Sequence, residues 1–235
     1  MNIGLILAGG KGSRMGKTTV PKQFLYVKDK PIIVHTIDIF EKCKDIDGVV
    51  IVCNNQYISY MKDLINEFDL KKVIKIVENG ETAHESVFNG LTYIHENFEK
   101  ENPVVVVHDG VRPFITEEIV SNNIKVVRET GRGVSTAYPV VETIMKVEDE
   151  KVREIYPRDL LQIGQAPQSF IGNELYELNK RAMDEGRVFI DQASVYKYYK
   201  GDLEITMGSR LNIKITTIED YHMAKFMYDI KNELI

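Results

Sequence analysis

Apolar residues in this chain come in short runs separated by longer amphipathic stretches, and that rhythm predicts its elements. Asn2–Leu7 reads as a strand, and Ile32–Glu41 as a helix with Ile33, His35, Thr36, Ile37 and Phe40 toward one side. Gly48–Cys53 is a near-continuous apolar run of the kind buried on both faces of a sheet. A helix around Ser59–Phe68, a strand at Val73–Val77 and a helix at Ala83–Phe98 follow. Val104–His108 is the strongest strand pattern in the chain, and a helix near Glu117–Thr130 comes after it. Strands alternating with helices predict an α/β fold, a mostly parallel sheet with helices on both faces. Ligands of such sheets bind beyond the carboxyl ends of the strands. The loops Gly9–Lys22, Asn79–Ser86 and Asp109–Pro113 each follow a strand, so all three are expected on one edge.

The rhythm breaks between Ala137 and Pro157. Pro139–Val147 and Val152–Ile155 read as two strands around the charged turn Glu148-Asp149-Glu150-Lys151. A hairpin inserted there either covers its own domain or reaches a partner. Because the surrounding elements already complete a sheet, it is read as reaching a partner. The chain returns through helices at Asn173–Glu185 and after Asp191, strands at Leu203–Met207 and Asn212–Thr216, and a final helix Ile218–Ile235. Without repeats or low-complexity segments, the reading is one domain over residues 1–235, with an arm at about 138–158.

Composition narrows this only a little. At 235 residues and 43% hydrophobic content the chain can bury one large core. A formal net charge of −5 gives no support for a nucleic-acid or membrane surface, so cations that bind an anion must be gathered locally. Cys43 and Cys53 lack metal-ligand spacing, and Cys53 reads as a buried free thiol. The first apolar segment leads into Gly-Gly rather than a cleavage site, and no run reaches membrane-spanning length. A reducing cytoplasm is the expected location.

The chemistry starts at the first loop, where Lys11, Arg14 and Lys22 stand among Gly9, Gly10, Gly12 and Gly16. Glycine allows close backbone approach, and cations around exposed N–H groups suit a phosphate chain. Two familiar phosphate loops are excluded: Lys11 is followed by Gly12 rather than Ser or Thr, and Met15 stands where a dinucleotide loop has Gly or Ala. In His108-Asp109-Gly110-Val111-Arg112-Pro113, Asp109 at a strand mouth suits a metal or a hydroxyl, or pairs with Arg112 as a loop staple. His108 reads as a hydrogen-bonded structural residue rather than a base. Lys214, in the apolar run Asn212–Thr216, either faces an anion or snorkels at a sheet edge.

Taken together, Ala8-Gly9-Gly10 with Arg14-Met15 and Pro21-Lys22-Gln23, His108-Asp109 with Arg112-Pro113, Gln165, Pro167, Gln168 and Phe170, and Asn212-Ile213-Lys214-Ile215-Thr216 resemble the CTP-dependent cytidylyltransferases for polyol phosphates. The resemblance runs from residue 3 to about 228 and implies a Rossmann-like fold of the nucleotide-diphospho-sugar transferase type. It implies that Leu7, Ala8, Gly9 and Gly10 surround the CTP triphosphate, with Arg14 and Lys22 facing the α-phosphate. Gly80 and Ser86 would contact cytosine, and Asp109 the ribose or metal side. Arg112, Thr143, Arg158 and Lys214 would hold the polyol phosphate, which makes Arg14, Lys22 and Lys214 the catalytic set. Mg²⁺, held mainly by the CTP phosphates, is the implied cofactor. The arm would exchange across a homodimer, so Thr143 and Arg158 would serve the neighbouring subunit.

Three departures from the family pattern bear on the substrate: Ala166 and Ile190 stand where Thr is usual, and Ala83 where an Arg is usual. The family has a ribitol 5-phosphate branch in teichoic-acid and capsule synthesis and a 2-C-methyl-D-erythritol 4-phosphate branch in isoprenoid synthesis. Leu7-Ala8-Gly9-Gly10 and Gly164–Phe170 are more similar to the ribitol branch. The implied reaction is in-line attack by the polyol phosphate on CTP, releasing pyrophosphate; it needs no general base. The competing class is an inactive nucleotide-binding module of the same fold. Joint retention of Arg14, Lys22, Asp109, Arg158 and Lys214 argues for the enzyme.

Overall fold

Strand alternation organises the molecule. In the computed structural model, which describes residues 1–10 and 20–233, β1 (Asn2–Ala8) lies inside a seven-stranded sheet. It pairs in parallel with β4 (Gly48–Cys53) on one side and β6 (Val104–Asp109) on the other. β5 (Val73–Glu78) extends the parallel half beyond β4. Val49, Ile51 and Cys53 of β4, with Val104 and Val106 of β6, face one helical layer, while Val50, Val52, Val105 and Val107 face the other. Both faces are therefore apolar, and the strands read as unbroken hydrophobic runs.

The first layer is α1 (Ile32–Lys42), α2 (Ile58–Glu67) and α4 (Glu117–Thr130). The second is α3 (Ala83–Phe98), α5 (Gly172–Asp184) and α6 (Gln192–Lys200). α3 and α4 begin where Thr82 and Thr116 accept the N–H of Glu85 and Ile119. β2 (Tyr26–Val27) and β3 (Lys30–Pro31) form a small ribbon, against which α7 (Ile218–Glu233) packs.

The other half of the sheet departs from the sequence reading. β7 (Val134–Pro139) and β10 (Gln162–Ile171) are main-sheet strands that the apolar pattern did not announce, and β10 runs antiparallel between β6 and β7. β11 (Glu204–Met207) closes the edge beside β7. Polar residues fill this region: Asn123 donates to Thr136 Oγ1 at 2.9 Å and Thr206 Oγ1 at 2.7 Å and accepts from Ser169 Oγ at 3.1 Å. Such a satisfied buried network replaces the apolar alternation that a strand search relies on. The arm is β8 (Met145–Glu148) and β9 (Lys151–Ile155), exposed throughout, so its first strand begins six residues later than Pro139. Asn212–Thr216 is not a strand. It is an extended segment tied to the body by the bond from Ile215 N to Val111 O at 2.9 Å.

Candidate active site

β1, β4, β5 and β6 are parallel, so the loops after β1, β5 and β6 open on one edge, as the sequence predicts. Arg14 and the other residues of 11–19 lie outside the described residues. Their anchor is described: Gln23, beside the buried Lys22 in a 3-10 turn after Pro21, donates to Ala8 O at 2.7 Å and Gly10 O at 3.0 Å. Lys22 is thereby fixed next to the first turn of the glycine loop.

Two cavities flank this edge. The larger, about 930 Å³, is polar and includes Gly10, Pro21, Asn79, Gly80 and the loop Asn54-Asn55-Gln56-Tyr57 after β4. Gly9 and Gly80 are glycines for steric reasons. A Cβ on Gly9 would stand 2.7 Å from Asn79 Cβ, and one on Gly80 2.2 Å from Glu85 Cβ. Ser86 supports Gly80, accepting its N–H at 3.1 Å and donating to Thr82 O at 2.8 Å. Asn54, Asn55 and Gln56 had no motif to reveal them; their one signal is position, directly after the strand next to β1.

The smaller cavity, about 320 Å³, holds Leu7, Asp109, Arg112 and Lys214. Arg112 Nε donates to Asp109 Oδ2 at 2.9 Å and Lys214 Nζ to Asp109 Oδ1 at 2.8 Å. Of the alternatives read from the sequence, the structure shows the staple to Arg112 for Asp109 and a facing anion for Lys214, that anion being Asp109 itself. Burial opposes ionisation of Asp109, but the charges and hydrogen bonds of Lys214 and Arg112 prevail and bring its pKa down to about 2. Asp109 is therefore ionised at neutral pH, one carboxylate between two basic side chains.

Side chains from three motifs hold the triad in place. Arg112 Nη1 donates to Asn212 O at 2.8 Å. Asn212 Nδ2 donates to Ala166 O at 2.7 Å, next to the cis Ala166–Pro167 peptide. Gln165 Nε2 donates to Ser209 O at 2.9 Å and its Oε1 accepts from Ser209 N at 3.2 Å. Gln168 donates to Asp191 Oδ2 at 2.8 Å, and Asp191 caps α6 through Ser194 N at 2.8 Å. Residues 83, 166 and 190, the three departures noted above, all line this same cavity. Ala83, Ala166 and Ile190 put apolar side chains in its wall.

Thr143 and Arg158 lie elsewhere. Both are exposed at the base of the arm, Arg158 Nη1 donates to Val141 O at 3.0 Å, and neither lines either cavity. Ser86 reaches the larger cavity only through Gly80. No group of three or more His, Cys, Asp or Glu suited to a metal ion occurs among the described residues. Both oxygens of Asp109 already accept from cations, so in this arrangement it is the hub of an ion triad rather than an open ligand. Cys43 and Cys53 are buried free thiols, that of Cys53 pushed up to about 11 by burial. Among the described residues no helix is long and apolar enough to cross a membrane.

Comparison with known proteins places this geometry in context. The family model described as IspD, 2-C-methyl-D-erythritol 4-phosphate cytidylyltransferase, matches residues 3–229. The chain is 44% identical to ribitol-5-phosphate cytidylyltransferase of Streptococcus agalactiae serotype III, over 100% of this chain and 99% of that protein. It is 36% identical to 2-C-methyl-D-erythritol 4-phosphate cytidylyltransferase of Clostridium tetani, over 99% of this chain and 94% of that one. Among solved structures, 4-diphosphocytidyl-2C-methyl-D-erythritol synthase from Anaerococcus prevotii superposes with a TM-score of 0.83 at 25% identity, covering 97% of this chain and 95% of that one.

Proposed function

The chain belongs to the IspD family of cytidylyltransferases, and on that premise we propose that it converts CTP and D-ribitol 5-phosphate into CDP-ribitol and pyrophosphate. One observation carries the choice of substrate: full-length identity is 44% to a protein named for ribitol 5-phosphate and 36% to one named for methylerythritol phosphate. The product would serve teichoic-acid or capsule polymer synthesis.

Chemically, a ribitol phosphate oxygen attacks the α-phosphorus of CTP in line and pyrophosphate leaves. The nucleophile is already largely a dianion at neutral pH, because the second pKa of a phosphomonoester is about 6. A base is superfluous; what the reaction needs is two polyanions held together and their charge offset. Lys22 and Arg14 take the α-phosphate side, next to Leu7, Ala8, Gly9 and Gly10. Gly80, supported by Ser86, takes the base. Arg112 and Lys214 take the polyol phosphate, with Asp109 holding both cations in place. Mg²⁺ would be held by the CTP phosphates rather than by a cluster of described side chains, and would supply charge neutralisation on the pyrophosphate leaving group.

The arm is the dimer contact, bringing Thr143 and Arg158 to the neighbour's site. Val147, Val152, Ile155 and Leu160 support this, since all are more than half exposed on the arm or at its base. Pyrophosphate release tests the reaction. With CTP and Mg²⁺, ribitol 5-phosphate should give a kcat/KM at least about tenfold above that for 2-C-methyl-D-erythritol 4-phosphate, a difference of roughly 1.4 kcal/mol. The reverse order overturns the substrate assignment, and inactivity with both overturns the reaction.

A further inference from the structure

We propose that His108 is a positioning residue for the polyol-phosphate side of this site, a neutral imidazole that clamps the turn presenting Asp109 and Arg112. The inference rests on the reading of the site given above. On β6, successive side chains face opposite layers. Both Asp109 and His108 border the smaller cavity, but the His108 ring, on a residue 1% exposed, packs 5.5 Å from that of Phe40 in the first helical layer. From there its Nε2 reaches the Arg112 carbonyl at 3.2 Å. A carbonyl only accepts, so Nε2 carries the proton and the neutral tautomer is fixed.

The clamp adds to a turn that is also held by Ile215 N on Val111 O at 2.9 Å and Thr36 Oγ1 on Gly110 O at 3.2 Å. Arg112 N donates to Asp109 O at 3.1 Å, and Gly110 N docks on Leu7 O at 2.9 Å. Residue 113 is proline, so the position after the clamped carbonyl supplies no N–H. The His108 bond holds the Arg112 carbonyl itself, where the Arg112 side chain departs, one residue beyond the Val111 carbonyl that Ile215 N holds. His108 Nδ1 is buried and has no hydrogen-bond partner among the described residues. A second proton there would have nowhere to bond. Burial, against the pull of the Asp109 charge, lowers the ring's pKa to about 4, so the donor does not change character in the neutral range.

His108→Leu keeps the volume and removes the donor; His108→Gln restores an N–H donor. In the pyrophosphate-release assay, Leu should raise KM for the polyol phosphate about tenfold, the scale of one lost hydrogen bond, while KM for CTP stays put and Gln recovers most of the loss. A wild-type KM in His108→Leu, or equal losses in Leu and Gln, overturns the role. If Leu does not fold, ¹⁵N NMR of the wild-type imidazole decides at pH 7.5. An Nε2-protonated neutral ring supports the clamp; an Nδ1-protonated or charged ring sinks it. That spectrum stands even if the wild-type enzyme turns over neither polyol phosphate, so failure of the functional reading and failure of the clamp are separable.

Discussion

Lys214 Nζ lies 2.8 Å from Asp109 Oδ1 and joins segments 105 residues apart. Together with the bond from Ile215 N to Val111 O, this contact holds Asn212–Thr216, which has no strand ladder of its own, beside the end of β6. Lys214→Met keeps the stem and deletes the charge. Steady-state pyrophosphate release should fall roughly 10²–10³-fold, the range seen when a preorganised charge donor is lost. A loss below about threefold would mean that Lys214 only braces Asp109.

The same triad makes stability depend on acid. Asp109 in the folded chain titrates near 2, below the usual carboxylate range. Its stabilising contribution is complete above the unfolded-state pKa and disappears as pH falls from about 4 through 2, where the unfolded chain binds more protons. Urea midpoints should therefore fall more steeply over that window for the wild type than for Asp109→Asn. Parallel profiles would count against the triad as an acid-sensitive element.

Lys22 is buried beside the Gln23 anchor, and the proposed role is electrostatic. Lys22→Ala should retain a cooperative thermal transition and lose roughly 10²–10³ in kcat/KM. Near-normal turnover would refute its assignment to the α-phosphate.

Gly9 and Asn79 are a steric pair. Gly9→Ala should destabilise by about 1–3 kcal/mol, the usual cost of overpacking, and weaken the thermal shift given by CTP. Adding Asn79→Gly removes the clashing atoms and should recover most of that loss. If the double variant is merely additive, the two residues are not coupled.

Exchange of the arm has its own test. Arg158→Ala and Lys22→Ala subunits, each inactive alone, should regain partial activity when mixed under conditions that allow exchange. Verified heterodimers without turnover would show that the arm does not complete a neighbour's site.

Much of the architecture was legible because the first half of the chain follows simple rules. Gly48–Cys53 is unbroken apolar sequence, and it is buried at every position. Ala83–Phe98 and Glu117–Thr130 begin after capping threonines and appear with the boundaries the pattern gives. β7 and β10 were hidden because Thr136, Gln165, Gln168 and Ser169 are buried polar residues whose partners come from distant segments. Asn212–Thr216 misled for the opposite reason. Its Ile-Lys-Ile alternation suits a strand, but its main chain holds to the Val111 carbonyl rather than to a sheet neighbour. The grouping of Asp109, Arg112 and Lys214 around one cavity was recoverable from motifs. Asn54–Gln56 were not, since a polar loop carries no signature until the sheet places it.

β10 runs antiparallel to both β6 and β7, so β7 ends and β10 begins at the edge where β6 ends. Pro139 pairs with Gln162, and residues 140–161 leave and rejoin the sheet at that single rung. The arm is thus an insert clipped across one ladder step. Its two strands pair only with each other and with no strand of the main sheet. The segment rejoins the sheet three residues before Gln165, which lines the smaller cavity. The fold therefore has a permissive seam beside its chemistry, where grafting an arm from a relative would exchange one fitting and leave the frame intact.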